Sequence, residues 1–174
     1  MLKNLYPRMY VPSILDIKPA LLKSLGLKGV IFDLDNTIVR RDSVNAPPEV
    51  LKMIVEMRKE GFKMGIVSNN SRRRVRAIAA EMDMPSVHRA VKPFARPFRR
   101  ALRLMGTSPR ETALVGDQIF TDILGGNIAG LYTILVVPMQ GKDFWGTRLI
   151  TRHLEKIVLA RLKKKPEVFH GRWD

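Results

Sequence analysis

The sequence predicts an open, doubly wound (Rossmann-like) α/β domain, with a mostly parallel sheet and helices on both faces. Three observations carry that prediction. Short apolar, β-branched runs recur at 29–33, 62–68, 87–91, 112–116 and 131–137 and read as strands. Single segments suited to helices, 47–60, 72–82, 95–105 and 120–129, fill most of the gaps between them. The strands are nearly continuous in hydrophobicity rather than alternating, as in a sheet covered on both faces.

The elements follow in order. Segment 13–25 places Ile14, Ile17, Leu21, Leu22 and Leu25 at helical spacing, with Asp16 and Pro19 near its start. Pro47–Pro48 suits a helix beginning and Gly61 its stop; Gly106 and Gly130 close the next candidates. Segment 146–162 puts Leu149, Ile150, Leu154, Ile157, Val158 and Leu162 on one face and Arg148, Arg152 and Lys156 on another. It reads as a helix covering the sheet or as a basic amphipathic contact with a membrane surface. The expected organisation is a basic segment with a short helix over 1–28, the α/β domain over 29–162, and a basic tail over 163–174.

At 174 residues, 45% hydrophobic and 27% charged, the chain has the length and balance of one globular domain. It contains no cysteine, which excludes a disulfide framework, a thiolate nucleophile and a Cys-based metal site. His88, His153 and His170 are scattered and do not suggest a histidine metal site. The N-terminus lacks the apolar run of a signal peptide, and no stretch approaches the roughly 18 apolar residues of a membrane span. A soluble, cytoplasmic protein is expected, with peripheral membrane contact an option.

The charge is uneven. Lys and Arg total 31 against 16 acids, for a net charge of +15, yet segments 30–39 and 111–140 contain no Lys or Arg. Those two segments hold Asp33, Asp35, Glu111, Asp117 and Asp122. Burial accounts for the missing bases but not for the aspartates, which are rarely buried without a partner. An acidic focus in a basic protein suits a divalent cation serving an anionic, phosphate-rich substrate.

The sharpest motif is Asp33-Leu34-Asp35-Asn36-Thr37, directly after the apolar strand. Sites in parallel α/β sheets form outside the carboxyl ends of strands. If the chain turns there, one carboxylate can attack phosphorus while the other protonates the leaving oxygen and later activates water. Mg²⁺ fits between such carboxylates, since it takes one or two of them plus water and phosphate oxygens. Ser68-Asn69-Asn70 ends the second strand in groups suited to phosphate, or to capping a helix. Lys92, before Pro93, could neutralise a phosphoryl group. Gly116-Asp117 and Asp122 follow the fourth strand, suited to a metal ligand and a supporting carboxylate, although Asp122 could equally favour a helix start.

In this order D-L-D-N-T, S-N-N, K-P and G-D-x-x-x-x-D resemble motifs I to IV of the haloacid-dehalogenase-like (HAD) superfamily of phosphotransferases. The resemblance covers about 29–137. It implies Asp33 as a nucleophile forming an aspartyl-phosphate, Asp35 as general acid/base and Lys92 as stabiliser of the charged intermediate. It implies Ser68 and Asn69 as phosphate-binding groups, Thr37 and Asp122 as supports, and Mg²⁺ held by Asp33, Asp117 and the Asp35 carbonyl. Asp35 points to hydrolysis.

Many members of that superfamily carry a cap domain after motif I or between motifs II and III. Here Thr37 to Ser68 leaves about 30 residues and Ser68 to Lys92 about 23, which one helix and its loops or a helix and strand consume. The expected site is uncapped and open to a large substrate, or closed by another subunit. The motif forms, this spacing and the flanks resemble subfamily IIIA, in the branch of phosphatidylglycerophosphate phosphatases. That implies a lipid headgroup phosphomonoester. Alternatives are a phosphatase of a small soluble phosphometabolite closed by oligomerisation, a nucleic-acid-end phosphatase, and a non-catalytic RNA-binding module. For nucleic acid, aromatics are only 7% and do not interleave with the arginines of 72–76.

Overall fold

A computed structural model of the chain describes residues 2–139, with the side chains of residues 3–139. The candidate helix over 146–162 and the basic tail over 163–174 lie outside the described residues.

Six strands form one all-parallel sheet: β1 (Met9–Val11), β2 (Gly29–Phe32), β3 (Lys63–Val67), β4 (Ser86–Val87), β5 (Thr112–Gly116) and β6 (Tyr132–Val136). Their order is β1-β6-β5-β2-β3-β4. The five described helices are α1 (Pro19–Ser24), α2 (Pro48–Lys59), α3 (Arg72–Glu81), α4 (Ala95–Met105) and α5 (Leu124–Ala129). This is the doubly wound fold that the sequence predicts.

The apolar strands are buried on both faces, and alternate residues feed two cores. Val30, Phe32, Ala113 and Val115 pack with Met53 and Met57 of α2 and with Val75 and Ile78 of α3. Ile31 and Leu114, pointing the other way, pack with Phe98, Leu102 and Met105 of α4. Pro47 precedes the first turn of α2, and Gly61 follows its end at φ 88°, as the sequence suggests.

Three local differences from the sequence reading matter. The N-terminal segment contributes a strand: β1 pairs with β6, Met9 opposite Ile134. At three residues between Pro7 and Pro12 it is too short to show a period. Segment 13–25 is two pieces: a turn at Ile14–Asp16 with a capping box between Ser13 and Asp16, then α1 beginning at Pro19. Leu25 at its end is exposed. Last, the strand read over 87–91 is only Ser86–Val87, and residues 88–91 form a loop with Arg89 and Val91 at positive φ.

The topology places the site. β2 lies between β3 and β5 with register Phe32 opposite both Ile66 and Val115. The chain moves outward from β2 to β3 and β4, then returns to β5 on its other side. β2 is therefore the switch point, where an α/β sheet opens a crevice at the carboxyl ends of its strands. Asp33 is the next residue. Among the described residues, only α2 and loops separate β2 from β3, and α3 separates β3 from β4; there is no inserted cap.

Candidate active site

Asp33, Lys92 and Asp122 are buried together at the end of β2. Lys92 Nζ donates to Asp33 Oδ1 at 2.5 Å and to Asp122 Oδ1 at 2.6 Å. Oxygens of Asp33, Asp117 and Asp122 all lie within 4.8 Å of one another. Three acids thus face one lysine: Asp122, read from the sequence as a support, joins Asp33 and Asp117, whereas the Asp35 side chain does not. The imbalance shows in their protonation. Burial and the charge of Asp122 push Asp33 up to about 7, against the pull of Lys92. Burial, then Asp33 and Asp122, holds Asp117 well above the usual carboxylate range. Burial works against the Lys92 charge, yet Asp122 and Asp33 outweigh it and keep this lysine above its ordinary value.

Supporting groups fix each carboxylate. Thr37 Oγ1 donates to Asp117 Oδ1 at 3.3 Å. The backbone N–H of Gln118 donates to Asp122 Oδ2 at 3.1 Å, in a π-type turn over Ile119–Ile123 that leads into α5. Gly116 makes room for this: a Cβ there would lie 2.5 Å from Asp122 Cβ, Cγ and Oδ2. The glycine before Asp117 is thus required by the approach of Asp122, whatever the turn. Ser68 is buried at the end of β3, and its Oγ accepts from the Asn70 backbone N–H at 3.2 Å. The Asn69 carboxamide is exposed, and its Oδ1 accepts from the Lys92 backbone N–H at 2.8 Å. Asn69, read as a phosphate group, serves here to anchor the Lys92 loop to the end of β3.

Asp35 stands apart from the cluster. Its Oδ2 accepts from Asn70 Nδ2 at 2.8 Å, and its Oδ1 from Arg74 Nε at 2.9 Å. Arg74 also donates to the carbonyls of Ser43 and Arg40, at 2.7 and 3.1 Å, tying the loop after β2 to α3. Sequence reasoning missed both partners. Arg74 was one arginine in a run at 72–76, indistinguishable there from a solvated face. Asn70 and Arg74, four residues apart, meet the same carboxylate, but spacing alone does not single Arg74 out from the arginines beside it.

Three carboxylates within 4.8 Å, offset by only a single lysine, form an oxygen donor set that fits a hard divalent cation. Two of the acids resist ionisation together, and a cation is what would relieve them.

The fold and this arrangement define a hydrolase of the haloacid dehalogenase-like class, and the comparisons agree. The sequence model of the haloacid dehalogenase-like hydrolases matches residues 40–130. The chain belongs to this family and is a phosphatase of that type. It is 41% identical, over all of its own length and 99% of the other, to the probable phosphatase YqeG of Bacillus subtilis. It is 28% identical to phosphatidylglycerophosphate phosphatase 1, chloroplastic/mitochondrial, of Arabidopsis thaliana, across 91% of this chain and 47% of that one. The chain thus spans about half the length of the plant relative. In fold it resembles the deoxy-D-mannose-octulosonate 8-phosphate phosphatase YrbI of Haemophilus influenzae, with TM-score 0.54 at 14% identity, over 82% and 92% of the two chains.

Proposed function

We propose that the protein hydrolyses a membrane-borne phosphomonoester of the phosphatidylglycerophosphate kind through an aspartyl-phosphate on Asp33. The observation that supports this most is the buried Asp33 carboxylate at the switch point, bridged by Lys92 to Asp122 and left uncapped among the described residues. A carboxylate oxygen of Asp33 attacks phosphorus, the bond to the alcohol oxygen breaks, and Asp35 gives that oxygen a proton. Asp35 then takes a proton from water as the water oxygen attacks phosphorus, releasing inorganic phosphate and restoring Asp33. Ser68 holds phosphate oxygens, and Lys92 offsets their charge while keeping Asp33 from pairing elsewhere. Mg²⁺ would be held by Asp33, Asp117 and the Asp35 carbonyl, with Asp122 supporting; it would supply charge neutralisation of the phosphoryl group. Thr37 keeps Asp117 in place. No described helix is long and apolar enough to cross a membrane, so a lipid substrate would be met from the side, at the bilayer surface.

The test is phosphate release from phosphatidylglycerophosphate in vesicles, beside sugar phosphates, nucleotides and phosphorylated oligonucleotides, each with Mg²⁺ and with chelator. Turnover of the lipid well above the soluble panel, abolished by chelator, is expected. Turnover confined to a soluble phosphoester would overturn the substrate, and equal rates in chelator would overturn the metal.

Arg74 gives a second check, because it holds Asp35 while sitting on α3. Arg74→Ala is expected to lower kcat/KM, which ends at phosphoryl transfer to Asp33 and excludes the dephosphorylation step common to all esters, by about 10²-fold on alkyl phosphates, whose leaving oxygen needs a proton. On p-nitrophenyl phosphate, whose leaving group departs unprotonated, the loss should stay under about tenfold. Equal losses on both esters would remove Asp35 as the acid.

A further inference from the structure

Beside the Lys92 loop lies a cavity of about 690 Å³ that takes no part in the chemistry above. Arg89 from the loop and Arg96, Arg100 and Arg103 from α4 line it, with Val91 and Phe94. No carboxylate lines it, and residues 84–110 hold seven Lys or Arg and no Asp or Glu. Among the described residues none of the four arginines is ion-paired, whereas Arg74 nearby is committed to Asp35. Cations crowded on one face repel one another and set up a field that attracts an external anion.

The apolar part is equally specific. Val91 is 62% exposed and Phe94 67%, and they flank Lys92 in sequence on either side. Val91 sits at φ 56°, a conformation a β-branched residue rarely adopts. The backbone is thus held in an unfavourable form while Lys92 points inward and Val91 outward, the sort of strain that marks functional segments. Other arginines extend the field: burial and the charges of Arg72, Arg76, Arg100 and Arg89 lower His88, another lining residue, whose Nδ1 is buried without a hydrogen-bond partner.

We infer that this face, arginines around protruding Val91 and Phe94, docks the protein on an anionic phospholipid bilayer. Apolar side chains entering the interface within a basic ring are the chemistry of peripheral membrane attachment. A polynucleotide fits less well, since a lone phenylalanine gives no stacking platform. Docking here sets the Lys92 loop, and with it the Asp33 crevice, beside the headgroups. The inference gives the membrane-borne substrate proposed above its means of approach and rests on that reading.

The test is sedimentation of the full chain with vesicles of phosphatidylcholine, with and without added phosphatidylglycerol as the anionic lipid. Binding is expected only with the anionic lipid and should weaken steeply as salt rises. Arg96→Glu with Arg100→Glu should lower partitioning by about 25-fold or more, at about fivefold for each cation lost. Arg96→Lys with Arg100→Lys should retain it, which separates charge from folding. Phe94→Ser should weaken binding with its salt dependence kept. Lys52→Glu with Lys59→Glu, the same charge change on α2 against the opposite face of the sheet, should partition nearly as the parent does. Asp33→Asn should still bind, so a failed catalytic reading and a failed docking reading are told apart. Equal losses from the α2 and α4 reversals would overturn the site, as would equal binding to neutral vesicles. Loss of single-stranded RNA binding in the α4 reversal, with vesicle binding intact, would reassign the face to nucleic acid and overturn it as well.

Discussion

Asp33→Asn is expected to abolish phosphate release, by at least about 10⁴-fold, the scale on which removal of a covalent nucleophile is felt. The fold should survive. Asp33 is buried and pushed up to about 7 beside Asp122, so as a metal-free carboxylate it burdens the folded state at neutral pH. A raised folded-state value means that this group's contribution falls as pH climbs from the ordinary carboxylate range to about 7. The amide removes that burden while still offering Lys92 an oxygen. The melting temperature without Mg²⁺ should therefore equal or exceed the parent's, and the gain from added Mg²⁺ should shrink. A calorimetric scan with and without Mg²⁺ checks both. A lower melting temperature would mean that Asp33 is structural, and retained turnover would mean that another group attacks phosphorus.

Lys92→Met makes the second large change, in the opposite direction. Lys92 is 8% exposed and bridges Asp33 and Asp122, which are also buried. Removing one partner of such a group leaves carboxylates uncompensated, at about 3–5 kcal/mol. Since Lys92 is held above the ordinary lysine value, its contribution is complete at neutral pH and is lost only as pH climbs above the lysine range. Denaturant unfolding at neutral pH should show the loss, and millimolar Mg²⁺ should restore part of it by replacing the missing charge. Activity should fall as well. A variant as stable as the parent in chelator would show that the triad is not ionised as described.

The two variants explain what was legible in the sequence. Position along a strand is set by burial, and Val30-Ile31-Phe32 could only be a buried strand, which placed Asp33 at its end. The same logic placed Ser68 after β3 and Asp117 after β5. Asp33, Asp117 and Asp122 come together because β2 and β5 are neighbours, a strand order that the alternation of strands with helices does not fix. The roles of Asn69 and Arg74 were not legible, because they depend on side-chain direction across loops. Asn69 reaches the Lys92 backbone 23 residues away, and Arg74 reaches Asp35 across 39. Nothing in spacing separates Arg74, committed to Asp35, from Arg73 beside it. β1 was hidden by its shortness, and the loop 88–91 by its apolar composition, which mimics a strand where Arg89 and Val91 turn the chain. The arginine cavity was legible only as charge, since its shape depends on how that loop meets α4.

In the proposed reaction Asp33 becomes phosphorylated. Acid-quenching the enzyme during turnover of a radiolabelled phosphomonoester and mapping the label by proteolysis tests it most directly. Hydroxylamine-labile label is expected in the peptide containing Asp33 and absent from Asp33→Asn. Label on another residue, or vigorous turnover with no trapped label at any quench time, would contradict it.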